Sequence, residues 1–282
     1  MPDEINVFNL LKNAESVFRH GNLHEPESDA AFLLSAVLKV KRSQLPLIRE
    51  KKVSDGEVSL FNEYVQRRLK REPAAYITGF CGFMDFEFKV NNNVLIPRPE
   101  TEILVENVLD FAKINKCESV LDLCTGSGCI AVSLAKMGDF KEITASDISF
   151  DSLFVAKENA ALNFVNSIDF LLSDMFEALD NMKFDCIVSN PPYVSKKEYK
   201  NLEPELKFEP ESALTAPDDG LFFYNVIASK ASGYLNKKGF VIVELNANCA
   251  DKIGGIFQKY GFKDIEIIND YAQLPRALKA HI

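Results

Sequence analysis

A four-residue run after a predicted buried strand carries the residue types best suited to chemistry: Asn190-Pro191-Pro192-Tyr193. Consecutive prolines lack backbone N–H groups, so the turn offers acceptor oxygens and no donors. The side-chain carbonyl of Asn190 adds another acceptor. These oxygens match the two N–H bonds of a planar NH₂ group, and the Tyr193 ring can pack against its plane. The run therefore predicts a site for a conjugated amide or amine, with a purely structural proline turn as the alternative.

A conjugated NH₂ nitrogen is a weak nucleophile because its lone pair is delocalised. Two hydrogen bonds that hold both protons favour lone-pair density aimed at an electrophile, fix the attack geometry and stabilise the positive charge that develops on nitrogen. A sulfonium-bound methyl group is such an electrophile, and its transfer needs no general base beforehand. The chain has no histidine near this run, which agrees with that chemistry.

A glycine-rich turn between a predicted strand and a predicted helix is the second chemical signal. In VLDLCTGSGCIA, Gly126, Gly128 and Ala131 fit the spacing G-x-G-x-x-[GA]. Such a turn needs unusual dihedrals and a close approach of backbone to ligand. Asp147 follows Gly128 by 19 residues, at the end of the next predicted strand, where its carboxylate can accept both ribose hydroxyls of an adenosine-containing ligand. These residues alone leave a dinucleotide, S-adenosyl-L-methionine and a structural turn all open.

Composition and charge narrow the class of protein. The 282 residues are 47% hydrophobic and 26% charged, which indicates a globular chain of one or two domains. The net charge is −9, and the acidic excess lies after residue 76, so nucleic acid is disfavoured as the substrate. No apolar run predicts a membrane span, and the acidic N-terminus resembles neither a secretory signal nor a transit peptide, so a cytoplasmic protein is expected. Six cysteines without a CxxC pair predict reduced thiols and no metal site.

The elements that must position these residues fall into three parts. Residues 1–75 are predicted to be helical; one helix, after the Ser54 cap, should turn Leu60, Tyr64 and Leu69 toward the core. Residues 76–96 are predicted to form a connecting β-hairpin. Apolar and polar residues alternate over Phe83–Val90, a turn follows at Asn91–Asn93, and the chain returns over Val94–Ile96.

From Pro97 onward, strand-like runs alternate with helical stretches, which predicts a doubly wound α/β catalytic domain over 97–282. The runs are Ser119–Leu123, Glu142–Ala145, Ile168–Leu172, Phe184–Ser189, Phe240–Leu245 and Lys263–Ile268.

At this point the sequence resembles the release-factor glutamine-N5 methyltransferases, the PrmC/HemK family. The matching stretches are AAYITGF, VLIPRPETEILVE, VLDLCTGSGCIAVSLA, ASDIS, LLSDMF, IVSNPPYV, FEPESALTAPDDGL and DYAQLPR. The resemblance implies a class I methyltransferase with a Rossmann-like seven-stranded sheet that binds S-adenosyl-L-methionine and releases S-adenosyl-L-homocysteine. It also implies that the helical N-terminal domain helps to recognise a peptide chain release factor, whose Gly-Gly-Gln glutamine is methylated.

The resemblance also implies residue roles. By position, Cys124, Thr125, Gly126, Ser127 and Gly128 line the methionine part of the cofactor, Asp147 binds its ribose, Asp174 and Met175 lie near its adenine, and Asn190, Pro191, Pro192 and Tyr193 hold the glutamine amide. Asn190, Pro191 and Tyr193 are the expected catalytic residues, with Asn190 also touching the cofactor. Four positions depart from the family pattern: Cys124, Asn246, Cys249 and Gln273.

Two other functions fit part of the pattern. One is a nucleic-acid amino methyltransferase acting on adenine N6 or cytosine N4, whose substrate also presents a conjugated NH₂ group. Such an enzyme should carry a basic groove and aromatic side chains that receive a flipped base. A non-catalytic cofactor-binding scaffold would not need an intact Asn190. The expectation is therefore a monomeric enzyme whose partner is a release factor.

Overall fold

The first compact unit of the protein is helical. The computed structural model describes residues 5–270 and 272–282, and Tyr271 of the DYAQLPR motif lies outside them. The unit extends to Gly79 and also includes Glu203–Phe208. Its helices are α1 (Val7–His20), α2 (Pro26–Leu38), α3 (Asp55–Leu69) and α4 (Ala74–Thr78), with a 3-10 helix at Arg42–Ile48. Apolar residues from all four α-helices form one core, including Phe18, Leu33, Leu34, Phe61 and Ile77.

Helix α3 begins as predicted, and its buried face includes a residue that the prediction left out. Ser54 and Glu57 form a reciprocal capping box at its start. The buried residues are Phe61, Val65 and Arg68. Of the predicted inward residues, Tyr64 and Leu69 are partly buried against the core, whereas Leu60 is 38% exposed, so the prediction is wrong for Leu60. The prediction left out Arg68 because hydrophobic spacing treats arginine as a surface residue, whereas Arg68 is buried here with partners.

Arg68 lies at the centre of a buried charge cluster. Its Nε donates to Asp29 Oδ2 at 2.8 Å and its Nη1 donates to Glu205 Oε1 at 3.0 Å. Arg71 Nε lies 3.3 Å from the same Glu205 oxygen. Glu205 reaches this cluster because the chain enters the first unit a second time between Leu202 and Glu209, a return that the continuous range 97–282 did not predict.

The β-hairpin is confirmed, but its pairing differs from the prediction. Strand β1 (Phe80–Phe83) pairs antiparallel with β2 (Phe86–Lys89), so the turn lies at Met84 and Asp85. The predicted return strand Val94–Ile96 is not a strand. The prediction failed because the apolar alternation runs on across a two-residue turn, and only the pairing shows where the chain reverses.

The second unit contains the predicted seven-stranded sheet. Its strands are β3 (Ser119–Leu123), β4 (Glu142–Asp147), β5 (Ile168–Leu172), β6 (Phe184–Ser189), β7 (Leu235–Glu244), β8 (Lys263–Asn269) and β9 (Pro275–His281). Their order is β5-β4-β3-β6-β7-β9-β8, with β9 antiparallel to both neighbours. The six predicted runs all form strands; β9 was missed because it opens with Pro-Arg and lacks a clear apolar alternation.

Helices cover both faces of the sheet, which makes it doubly wound. They are α5 (Glu102–Asn115), α6 (Cys129–Met137), α7 (Phe150–Leu162), α10 (Phe222–Lys230) and α11 (Ala250–Lys259), with short helices α8 (Lys196–Tyr199) and α9 (Glu211–Leu214) before α10. One core contains side chains of α5 and α6, and the other contains side chains of α10 and α11. Within the described residues, every helix is too short or too polar to cross a lipid bilayer.

The strand order reverses beside β3, which separates β4 on one side from β6 on the other. In open α/β sheets, ligands bind outside the carboxyl ends of the strands at such a switch point. The glycine-rich turn follows β3, Asp147 ends β4, and Asn190 follows β6. The topology therefore brings the three predicted signals to one edge of the sheet.

Two of the departures from the family pattern occupy left-handed backbone. Cys124 has φ 63° and Gln273 has φ 62°. A left-handed backbone costs roughly 1–2 kcal/mol for a residue with a Cβ atom, so glycine would fit both positions with less strain. The other two departures lie at the two ends of one short helix. Asn246 accepts a hydrogen bond from Asn248 N at 3.1 Å and so caps the 3-10 helix Ala247–Cys249, which ends at Cys249.

Candidate active site

A cavity of about 490 Å³ lies at this edge of the sheet, within the size range of small-molecule sites. Nine of the predicted site residues line it: Cys124, Thr125, Gly126, Ser127, Asp147, Asp174, Met175, Asn190 and Pro192. Among the described residues, Gly128, Pro191 and Tyr193 are not part of its wall. The fold thus gathers most of the predicted residues around one space.

The glycine-rich turn is tightly wound and packs closely on its neighbour. Gly126 has φ 55° and Gly128 has φ 79°, both in the left-handed region. A Cβ at Gly128 would lie 3.0 Å from Ala156 Cβ, so this glycine allows the turn to approach α7. A Cβ at Gly126 would meet nothing within 4 Å, so the space beside that residue is open.

Asp122, which the sequence analysis did not single out, anchors this turn. Its Oδ2 accepts from Thr125 Oγ1 at 2.6 Å and from Ala131 N at 3.1 Å. The side chain is fully buried, and Oδ1 has no hydrogen-bond partner among the described residues. Burial raises the pKa of Asp122 to about 7. A carboxyl group inside the apolar run VLDLC was the available signal.

Replacing Asp122 by asparagine should change how the free energy of unfolding depends on pH. Between the ordinary pKa near 3.8 and the raised pKa of about 7, the unfolded chain ionises Asp122 while the folded chain keeps it protonated. The stability of the wild type therefore falls as pH rises through this window. As pH rises from about 4.5 to 6.5, we expect the free energy of unfolding of Asp122→Asn to increase relative to that of the wild type by on the order of 2 kcal/mol. Urea denaturation at a series of pH values measures this difference. A difference that stays constant with pH would contradict this assignment.

Asp147 is held by the backbone on both sides. Its Oδ2 accepts from Gly126 N and its Oδ1 accepts from Ser149 N, each at 2.9 Å. Burial raises the pKa of Asp147, and these N–H groups partly offset that rise. Each carboxylate oxygen keeps a second acceptor direction, so the group can still receive hydrogen bonds from a ligand in the cavity.

Asn190 belongs to a hydrogen-bonded chain that the sequence analysis did not foresee. Its Nδ2 donates to Thr101 Oγ1 at 3.1 Å, and Thr101 Oγ1 donates to Glu244 Oε2 at 2.6 Å. The Tyr193 hydroxyl donates to Glu244 Oε1 at 3.0 Å. Asn190 and Thr101 both line the cavity. The packing of the Tyr193 ring against a substrate NH₂ group stays a prediction.

Glu209 ties together two further segments of the cavity wall. Its carboxylate, almost fully buried, accepts from Ile96 N at 3.0 Å and pairs with Arg98. Leu95 and Arg98 line the cavity on one side of this contact, and Pro210 lines it on the other. Both segments belong to motifs quoted above, IPRPETE and FEPESALTAPDDGL. Neither motif by itself predicts that the two segments are in contact.

Two family comparisons cover most of the chain. Residues 9–79 match the PrmC N-terminal domain, and residues 99–215 match the methyltransferase small domain. The chain is 39% identical to a release factor glutamine methyltransferase of Thermodesulfovibrio yellowstonii, covering 89% of this chain and 90% of the relative. It is 37% identical to the one of Clostridium acetobutylicum, covering 97% and 98%.

Among solved structures, the fold resembles the T. thermophilus 16S rRNA N2 G1207 methyltransferase (RsmC) in complex with AdoMet and guanosine. The TM-score is 0.53 with 20% identity, covering 72% of this chain and 49% of that one. At this identity the likeness concerns the fold alone.

Proposed function

Because the chain belongs to the release factor glutamine methyltransferase family, we propose that it methylates the glutamine side-chain amide in the Gly-Gly-Gln motif of peptide chain release factors, using S-adenosyl-L-methionine. One observation carries the proposal. Asn190 gives its N–H to Thr101, its carbonyl oxygen has no hydrogen-bond partner among the described residues, and it lines a cavity that the glycine-rich turn also lines. An acceptor placed there suits a carboxamide nitrogen that must face a methyl donor.

The residues present fit an adenosyl cofactor. The open space beside Gly126 allows a ligand to approach the backbone, and Asp147 offers carboxylate oxygens to ribose hydroxyls at the end of β4. Asp122 would act on this site indirectly, because it holds Thr125 and Ala131 of the glycine-rich turn in place from below the cavity wall. Cys124, Thr125, Ser127, Asp174 and Met175 would complete the wall around the bound group.

The chain's own contribution to the reaction is to bind and orient the amide. When bound, S-adenosyl-L-methionine supplies an electrophilic methyl group and is released as S-adenosyl-L-homocysteine. The Asn190 side-chain carbonyl and the backbone carbonyls of the two-proline turn accept the two N–H bonds of the glutamine side chain. These acceptors stabilise the positive charge that develops on nitrogen, and the surplus proton passes to solvent once the new N–C bond exists.

A transfer assay with two substrates tests the proposal. We expect purified protein to move a radiolabelled methyl group to recombinant release factor and not to duplex DNA, with mass mapping placing it on the Gly-Gly-Gln glutamine. The physical reason is that residues after 76 are strongly acidic, which repels a phosphate backbone. Label on DNA and none on release factor would favour the nucleic-acid amino methyltransferase instead.

A further inference from the structure

We infer that Glu244 and Thr101 form a relay that fixes which end of the Asn190 side-chain amide faces the cavity. Both residues act through Asn190 and are therefore positioning residues. The link to catalysis rests on the proposed function, whereas the orientation of the amide is a property of the chain itself.

The relay is buried and joins three parts of the second unit. Glu244, at the end of β7, is 3% exposed, and Thr101, just before α5, is 2% exposed. Thr101 Oγ1 lies 2.6 Å from Glu244 Oε2 and 3.1 Å from Asn190 Nδ2. The backbone carbonyl of Glu244 also accepts from the hydroxyl of Tyr224 at 2.9 Å, which fixes the strand end that carries the carboxylate.

The chemistry of the three groups sets the direction of every bond. Both Glu244 oxygens accept a hydrogen bond, and these two bonds oppose the rise in pKa that burial causes. In its ionised form a carboxylate only accepts, and a threonine hydroxyl has a single proton to give. Thr101 must therefore donate to Glu244 and can only accept from Asn190. The group of Asn190 that meets Thr101 is then the NH₂ end, so the carbonyl oxygen is left for the cavity. The charge on Glu244 thus sets the polarity of a group two hydrogen bonds away.

The partners of Glu244 fit such a role better than a role in stability. In the described part of the chain, its carboxylate is hydrogen-bonded by two neutral hydroxyls, of Thr101 and Tyr193, and not by a cation. Burying a carboxylate on such terms costs free energy that a well-packed apolar residue would not. What the carboxylate adds, in its ionised form, is a group that accepts hydrogen bonds and cannot donate them.

Two substitutions separate the relay from packing. Thr101→Val removes the hydroxyl at nearly constant volume, and we expect kcat to fall about 10- to 100-fold with little change in cofactor affinity. Thr101→Ser restores the hydroxyl and should restore kcat to within about threefold of wild type. Glu244→Gln should also lower kcat. The glutamine NH₂ group can donate to Thr101, and the threonine hydroxyl can then donate to Asn190, which would turn the NH₂ end of Asn190 toward the cavity. The matched control is Thr144→Val, a buried threonine on β4 outside the cavity, which should leave kcat unchanged.

A double substitution gives the decisive outcome. If the relay acts through Asn190, Thr101→Val should slow the wild type but add little to Asn190→Ala. An equal slowing in both backgrounds, or a Thr101→Ser variant as slow as Thr101→Val, would overturn the inference.

A measurement without substrate keeps the inference separate from the proposed function. The Asn190 Nδ2 protons should exchange slowly with solvent in an NMR experiment and faster in Thr101→Val, with Thr144→Val as control. Unchanged exchange in Thr101→Val would overturn the relay even in an active enzyme. Wild type that leaves release factor unmethylated but shows this exchange pattern would refute the proposed substrate alone.

Discussion

Replacing Asn190 by alanine should raise the barrier to methyl transfer by about 2–4 kcal/mol, the scale of losing one preorganised charge-stabilising contact. The variant loses the acceptor oxygen that Thr101 and Glu244 aim at the cavity. It keeps the backbone carbonyls of the proline turn and the glycine-rich turn, so binding of the cofactor should change little. The loss should appear mainly in kcat, because the contact strengthens as charge develops on nitrogen.

The measurement is single-turnover methylation of release factor, with cofactor affinity determined by calorimetry. Asn107→Ala is the matched control, because Asn107 lies on α5 with its amide bonded to the Ile103 carbonyl, away from the cavity. Its rate should equal that of the wild type. Unchanged turnover in Asn190→Ala would remove Asn190 from the mechanism. A loss of cofactor affinity equal to the loss of rate would instead give Asn190 a binding role only.

Replacing Arg68 by methionine should lower the free energy of unfolding of the helical unit by about 3–5 kcal/mol, the usual cost of removing one partner from a buried ion pair. Arg68 is 7% exposed and pairs with both Asp29 and Glu205. Methionine fills much of the space but leaves the two carboxylates facing each other without that cation. Burial already raises the pKa of Asp29, and Arg68 is the main group that opposes this rise. Without Arg68 the buried carboxylate would be less stable still.

Arg19→Met provides the control in urea denaturation, since Arg19 pairs with Glu27 on the surface of the same unit. Exposed pairs contribute about 0–1 kcal/mol, so this variant should unfold nearly as the wild type does. Combining Arg68→Met with Asp29→Leu and Glu205→Leu should recover much of the lost stability, because no buried charge is then left unpaired. Equal losses in Arg68→Met and Arg19→Met would show that the cluster does not stabilise the unit.

The sequence was sufficient wherever a signal is local. The glycine-rich turn and the Asn-Pro-Pro-Tyr run each depend on a few consecutive residues, because dihedral freedom and missing N–H groups are properties of those residues alone. The strands from Ser119–Leu123 to Phe184–Ser189 were identified for a similar reason, since each is an apolar run between turn signals. Strands of a parallel sheet place their carboxyl ends on one edge, so the gathering of these signals also followed from the predicted fold class.

Tertiary structure decided what depends on a distant partner. Glu244 lies 143 residues from Thr101, and Glu205 lies 137 residues from Arg68, so neither local spacing nor composition could pair them. Arg68 has the residue type of a surface position and becomes a core residue only because two carboxylates meet it. The same holds for Asn190: its residue type supplies an amide, but the hydrogen bond from that amide to Thr101 decides which end meets the cavity. A residue's type limits what it can donate or accept, and the folded neighbours determine which of these contacts it makes.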